Sequence, residues 1–273
     1  MTDHSDFVLV DRPQPGVALV TLNRPERMNS MAFDVMVPLR AVLEELRFDN
    51  DARVVVLTGA GRGFSSGADH KSAGSVPHVA GLTRPTFALR SMEVLDEVIL
   101  ALRRLHQPVI AAVNGAAIGG GLCLALACDI RVAATGAYFR AAGINNGLTA
   151  SELGLSYLLP RAIGASRAFE IMLTGRDVDA AEAERIGLVS QVVAEDELLA
   201  YCYGIAQRIA AFSRPGTELT KRTLWSGLDA ASLEGHMQAE GLGQLFVRLL
   251  TANFEEAVAA RAEKRPAVFT DDK

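Results

Sequence analysis

Residues 108–130 read P-V-I-A-A-V-N-G-A-A-I-G-G-G-L-C-L-A-L-A-C-D-I, and no other stretch restricts the fold as tightly. Residues 109–113 have the length and β-branched content of a buried strand, and Asn114-Gly115 breaks it. After the break, an apolar segment long enough for about two turns of buried helix runs up to Asp129. Three consecutive glycines, Gly119 to Gly121, stand where that helix should start. Each gives up roughly a kcal/mol of helix propensity relative to Ala. The pattern therefore predicts a close approach to the backbone there, with bare N–H groups and the positive end of the helix dipole offered to a negative oxygen.

The rest of the chain shows what that oxygen can belong to. The 273 residues, 49% of them hydrophobic, are enough for one large core. A net charge of −5 argues against a nucleic-acid binder. No apolar run reaches the length of a membrane span, and the polar start M-T-D-H-S-D does not read as a signal peptide. Cys123, Cys128 and Cys202 are odd in number and lack zinc-like spacing, so reduced thiols in a cytoplasmic protein without a metal are expected.

In chain order, residues 7–11 and 17–22 read as strands joined by a turn at 13–16. A polar loop follows, and then a helix over 32–47 with Phe33, Met36, Val37, Leu43 and Leu46 on its apolar face. Residues 53–58 form another buried strand, running into a second glycine-rich stretch at 59–69. Residues 71–85 lack periodicity and read as a mobile loop beside the site. Leu89, Met92, Leu95, Val98, Leu102 and Leu105 mark a helix face expected to pack in the core. Short strands are expected at 131–133, 138–140 and 189–193, with an Asp179/Glu182 capping box and Gly187 bounding a helix. Beyond Asp196 only helices are expected: 197–211, 215–228, 232–250 and 254–264. The strand-strand-helix rhythm makes this an α/β protein, and the change of pattern divides residues 1–211 from a helical region at 212–273.

A nucleotide cradle is weakly supported at either glycine-rich stretch. G-G-G-L-C-L and G-A-G-R-G-F both lack the last glycine of a dinucleotide fingerprint, and no Gly-Lys-Ser/Thr follows the first. Two separated turns, each offering a bare N–H, better suit two donors converging on one developing oxyanion.

The motifs L-N-R-P-E-R-M-N (22–29), V-L-T-G (56–59), F-S-S-G-A-D (64–69), N-G-A-A-I-G-G-G (114–121), C-D-I (128–130), and L-T-G-R (173–176) through G-L-V (187–189) together resemble the crotonase superfamily, also called the enoyl-CoA hydratase/isomerase family. The resemblance implies a right-handed spiral of repeated ββα units, with the C-terminal helices assembling a homotrimer or a dimer of trimers. It implies a coenzyme A thioester as substrate, with no cofactor beyond the coenzyme A that the substrate carries. Carried over, the oxyanion hole falls on the backbone N–H groups of Ala68 and Gly120. Each such donor is worth on the order of 3 to 4 kcal/mol to the transition state. The implied coenzyme A contacts are Arg24, Arg27, Ala68, Asp69 and Lys264, the last matching a tail lysine that reaches a neighbouring subunit's nucleotide. Any one of these cations read alone is as readily a solvated charge.

The departures from the family pattern bear on the reaction. Hydratases of this family activate water with two glutamates, and the matching positions here are Cys123 and Gly143. Cys123 on an apolar helix reads as a small hydrophobe rather than a nucleophile. His70 reads as a loop residue. Glu152 resembles the single catalytic glutamate of the family's Δ3,Δ2-enoyl-CoA isomerases, whereas its local reading is a cap on the helix beginning near Leu153. Leu148, Leu153 and Leu155 are expected to bury it and raise its pKa. Three activities stay open: an isomerase using Glu152, a hydratase or related lyase, and a non-catalytic acyl-CoA-binding relative.

Overall fold

A computed structural model describes residues 6–272; residues 1–5, most of the polar start, lie outside it. Two antiparallel strands, β1 (Val8–Gln14) and β2 (Val17–Leu22), open the chain, and helix α1 (Phe33–Arg47) follows. Next come β3 (Val54–Gly59), β4 (Gly63–Ser65) and α2 (Arg84–Arg104), then β5 (Val109–Val113), β6 (Ala116–Ile118) and α3 (Gly120–Ala127). A third turn has β7 (Ile130–Ala134), β8 (Tyr138–Arg140), α4 (Leu155–Ile163) and α5 (Ala165–Thr174). The remainder is β9 (Asp177–Asp179), α6 (Ala180–Arg185), β10 (Gln191–Val193) and four helices, α7 (Leu198–Ala210), α8 (Arg214–Gly227), α9 (Leu233–Leu250) and α10 (Asn253–Glu263).

Each ββα turn contributes one strand to each of two sheets. The six-stranded sheet has the order β1-β2-β3-β5-β7-β10, parallel from β2 onward, and the four-stranded sheet has the order β4-β6-β8-β9. In β3, Val55 and Leu57 point into the main core while Val54 and Val56 point into a second one, closed by Leu198, Cys202 and Ala206 of α7. Burial on both faces is why these strands read as unbroken apolar runs. The last-turn tail docks through α8: the buried Lys221 ammonium donates to Asp129 (2.8 Å) and to the Gln107 carbonyl (2.9 Å).

Several boundaries differ from the sequence reading. β1 extends to Gln14 across a register shift, leaving a tighter turn at Pro15 and Gly16, and β10 begins only at Gln191. The buried stripe of α1 is Val35, Met36, Leu39, Val42, Leu43 and Leu46, so Phe33 and Val37 stand at its margin. Leu89 and Met92 of α2 are exposed, 67% and 44%; the helix first packs on the core at the half-buried Leu95 and is fully buried only from Val98. Helical spacing identifies which residues share a face; it does not say how far along the helix that face is covered.

Candidate active site

The glycines at the start of α3 are needed first for packing. A Cβ on Gly121 would lie 2.1 Å from the Ser65 carbonyl oxygen, and one on Gly120 would lie 2.2 Å from Met31 Sδ. The close approach expected at this backbone is thus made in part by the chain itself, with Met31, which carries no sequence signal, and Ser65 of the F-S-S-G-A-D motif as partners. Gly119 precedes the helix at φ +53° and donates its N–H to the Arg140 carbonyl (2.8 Å). The Gly120 N–H, in the first turn of α3, has no intrahelical acceptor.

The opposite wall is the turn around Ala68. Gly67 has φ +78°, and a Cβ there would meet the Ile118 carbonyl oxygen at 2.5 Å and the Gly120 nitrogen at 3.3 Å. The two turns therefore abut. Met31 donates to the Gly67 carbonyl (2.7 Å) and bridges to Ala68, and among the described residues neither the Ala68 N–H nor the Gly120 N–H meets a backbone acceptor outside regular elements.

Asp69 fixes this turn. Its side chain is 2% exposed and accepts from Arg27 (2.6 Å), Arg24 (3.2 Å), Ser30 Oγ (3.0 Å) and the N–H groups of Lys71 and Ser72 (2.9 Å each). Burial alone would raise the Asp69 pKa, but these donors outweigh it and hold the carboxyl well below its ordinary range. Arg24 and Arg27 are thus gathered with Asp69 into one cluster that ties loop 24–30 to the turn. Asn29 completes the tie: buried at φ +51°, it donates to the Ala60 (2.9 Å) and Gly63 (2.7 Å) carbonyls and accepts from the Arg24 N–H (2.8 Å). Sequence reasoning passed over Asn29, although Asn is the residue type that tolerates the left-handed region in a polar loop. Lys264 is exposed at the left-handed end of α10 and makes no side-chain contact with this cluster.

Glu152 lies across from the turn. The helix that follows is capped by Gly154 without any side-chain bond, and it is the Glu152 carbonyl that accepts the Leu155 N–H (2.8 Å). The carboxylate is therefore not a helix cap. Its Oε1 stands 3.1 Å from where a Cβ on Gly119 would be, and the left-handed Leu153 (φ +47°) and Gly154 (φ +79°) turn the chain so that it reaches there. Burial raises the Glu152 pKa, and the neighbouring His70 opposes the rise. Leu153 and Leu155 supply buried surface as expected, but Leu148 is 64% exposed because the loop carries it outward.

At the two positions where the family's hydratases carry glutamates, the chain offers no carboxylate. Cys123 is buried, its Sγ 3.3 Å from the Gly119 carbonyl and 3.5 Å from that of Glu152. Burial, and secondarily the Glu152 charge, push its thiol pKa well up, which removes thiolate character. A Cβ on Gly143 would lie 1.9 Å from the Thr149 carbonyl oxygen, so the loop has closed over that position.

The sequence pattern described as "Enoyl-CoA hydratase/isomerase" matches residues 12–272. A Mycobacterium bovis protein named "Probable enoyl-CoA hydratase echA12" is 82% identical over 266 residues, 97% of this chain and 93% of that protein. The structure of a probable enoyl-CoA hydratase/isomerase from Mycobacterium abscessus superposes with a TM-score of 0.94 at 74% identity, covering 98% of this chain and all of that one. A monofunctional enoyl CoA isomerase from M. smegmatis has a TM-score of 0.74, also at 74% identity, over 86% of this chain and 99% of its own.

Proposed function

The chain belongs to the enoyl-CoA hydratase/isomerase family, whose substrates are acyl-CoA thioesters, and from that premise we propose that it is an enoyl-CoA isomerase with Glu152 as its acid/base. In this reading the thioester oxygen accepts from the N–H groups of Ala68 and Gly120. Glu152 takes a proton from C2 of a 3-enoyl-CoA, the electron pair spreads onto the thioester oxygen, and the same carboxyl returns the proton at C4. The double bond moves into conjugation, and no water or further cofactor is consumed. A carboxyl shifted upward by burial suits this exchange, because it can both accept and donate.

The observation that carries the reading is the placement of the Glu152 carboxylate beside Gly119, at the head of α3, while the second hydratase position is closed at Gly143. Hydration remains the second reading, favoured by the names of the similar mycobacterial relatives. A coenzyme A phosphate near Arg24 and Arg27 is part of this reading; Asp69 pairs with both arginines and Glu26 stands 3.7 Å from Arg24, so its support is the partial exposure of Arg27, 29%. Lys264 reaching a neighbouring subunit's nucleotide belongs to the same proposal. Assembly into a trimer or a dimer of trimers is supported by α9, which buries nothing in the single chain and exposes Leu233, Met237, Leu242, Leu245, Phe246 and Leu249. Among the described residues no helix is long and apolar enough to cross a membrane, and the three cysteines are buried and unbridged, which supports a reducing, cytoplasmic setting. Assays of the purified protein with 3-enoyl-CoA and 2-enoyl-CoA, alongside binding of a saturated acyl-CoA, separate the readings. Turnover of 3-enoyl-CoA is expected; hydration of 2-enoyl-CoA alone, or binding without turnover, overturns the isomerase.

A further inference from the structure

The three glycines at the head of α3 are held in different ways. Gly119 donates its N–H to the Arg140 carbonyl (2.8 Å), and Gly121 sits against the Ser65 carbonyl of β4, where an added Cβ would come within 2.1 Å of the oxygen. Gly120, between them, faces side chains. The atoms nearest to where its Cβ would stand are Met31 Sδ (2.2 Å), Met31 Cε (3.1 Å) and Leu153 Cδ1 (3.2 Å). That face of Gly120 is therefore fixed by apolar contact, which has no direction of its own and acts through volume.

Met31 also holds the other turn, by its backbone. Its N–H donates to the Gly67 carbonyl (2.7 Å), and it pairs in a parallel bridge with Ala68. Gly67 has no side chain to keep the two turns apart; a Cβ there would lie 3.3 Å from the Gly120 nitrogen. Met31 itself is buried, and the residues before it are anchored, Ser30 Oγ to Asp69 (3.0 Å) and Asn29 to the Ala60 and Gly63 carbonyls. One residue thus grips the Ala68 turn with its main chain and the Gly120 turn with its thioether. Leu153, next to Glu152, closes on the same face of Gly120.

Resting on the reading that the Ala68 and Gly120 N–H groups receive the thioester oxygen, we propose that Met31 is the positioning residue of that pair: its side chain is the spacer that fixes how far the Gly120 donor stands from the Ala68 donor. Two donors stabilise one oxygen only when both point to where its charge develops, and a misplacement on the order of 1 Å costs up to about 100-fold in rate. An unbranched thioether suits the task because it fills an irregular gap between two glycine turns. Met31 touches no reacting atom in this account.

The test uses a saturated acyl-CoA carrying carbon-13 at the thioester carbonyl, whose stretching frequency falls as its oxygen accepts hydrogen bonds, read by infrared difference spectroscopy on the purified protein. Binding to the wild type is expected to lower the frequency, with no turnover needed. Met31→Ala removes the spacer and is expected to lose about half of that shift or more, and roughly 10- to 100-fold in kcat for 3-enoyl-CoA, while acyl-CoA affinity changes by less than about threefold. Met31→Val, which has no atom at the Sδ position, is expected to behave alike and decides the matter if the alanine variant does not fold. Met31→Leu places a methyl carbon where Sδ stands and is expected to restore both the shift and kcat. The full wild-type shift in a folded Ala or Val variant, or a Leu variant as impaired as these, overturns the proposal and leaves Met31 as core packing. A wild-type carbonyl that does not move on binding overturns the oxyanion reading itself, and the role of Met31 with it.

Discussion

Glu152 Oε1 lies 3.1 Å from the point where a side chain on Gly119 would begin, so the carboxylate occupies space that a glycine vacates immediately before Gly120, the proposed oxyanion donor. Glu152→Gln preserves this packing and removes only the titratable proton. It is expected to lower 3-enoyl-CoA isomerisation by at least ~100-fold with little change in acyl-CoA affinity. A carboxyl whose pKa is raised by folding loses stability as pH rises from its unfolded toward its folded titration. The Gln variant should therefore match or exceed the wild type in thermal unfolding at pH 7. A fully active or clearly less stable variant would refute the assignment.

At Gly120 a side chain is a poor probe of the oxyanion contact, since any Cβ collides with Met31 Sδ before it meets a substrate. Gly120→Val is expected to abolish turnover while the protein stays folded, with Met31 and Leu153 displaced. The cleaner change replaces the Gly120 amide by an ester through semisynthesis, deleting the N–H alone. This should lower kcat by about 100- to 1000-fold, and retention of full kcat would place the oxyanion contact elsewhere.

Asp69 should couple folding to acidity. Its folded pKa is depressed, so the stability it contributes is complete above the unfolded carboxyl titration and is lost as pH falls through the folded one. Asp69→Ala leaves Arg27 without its carboxylate and Arg24 with only the longer contact to Glu26 (3.7 Å), and should destabilise by about 3 kcal/mol at pH 7 in urea titrations, with the difference from wild type shrinking toward low pH. A difference independent of pH would contradict this account.

Rebuilding the hydratase pair is expected to fail. In Cys123→Glu/Gly143→Glu the second glutamate must displace the Thr149 carbonyl, and the loop of residues 143–153 that carries Glu152 moves with it. The double variant should lose isomerase activity without gaining 2-enoyl-CoA hydration, and a gain of hydration would show that the loop yields more easily than its contacts imply.

The exposed apolar face of α9 should be covered in solution. Light scattering at micromolar concentration is expected to give the mass of three or six chains, and Leu245→Glu/Phe246→Glu should reduce it. A monomer in the wild type would end the idea.

Much of the site was legible in the sequence because its parts are backbone features with strong local signatures. Gly119 to Gly121 announced a close approach, and the paired glycine turns announced two segments that the structure brings against each other. Asp179 and Glu182 announced a cap that the structure places where expected, with the Glu182 N–H bonded to Asp179 (2.7 Å). What was hidden depends on contacts between distant segments. Nothing local marks Met31 as the partner of Gly120, or Asp69 as the acceptor for Arg24 and Arg27, or the Thr149 carbonyl as the obstacle at Gly143. The exposure of Leu89 and Met92 was hidden for a related reason: an apolar stripe shows what a helix could bury, and the rest of the fold decides what it does bury.

Residues 66–83 leave the ladder after β4 and rejoin regular structure only at α2; Gly67 packs against Ile118 of β6, and beyond the Asp69 turn the segment bonds to α1, through the Phe33 N–H to the Ala73 carbonyl (2.7 Å) and the Ser75 N–H to Asp34 (3.2 Å). The hydrogen-bonded rungs on either side are closed without them. Insertions, deletions and wholesale rewriting beyond the Asp69 turn can therefore accumulate in descendants of this chain without a shift in strand register. The same skeleton and the same abutting turns can be passed on intact while the outer wall drifts.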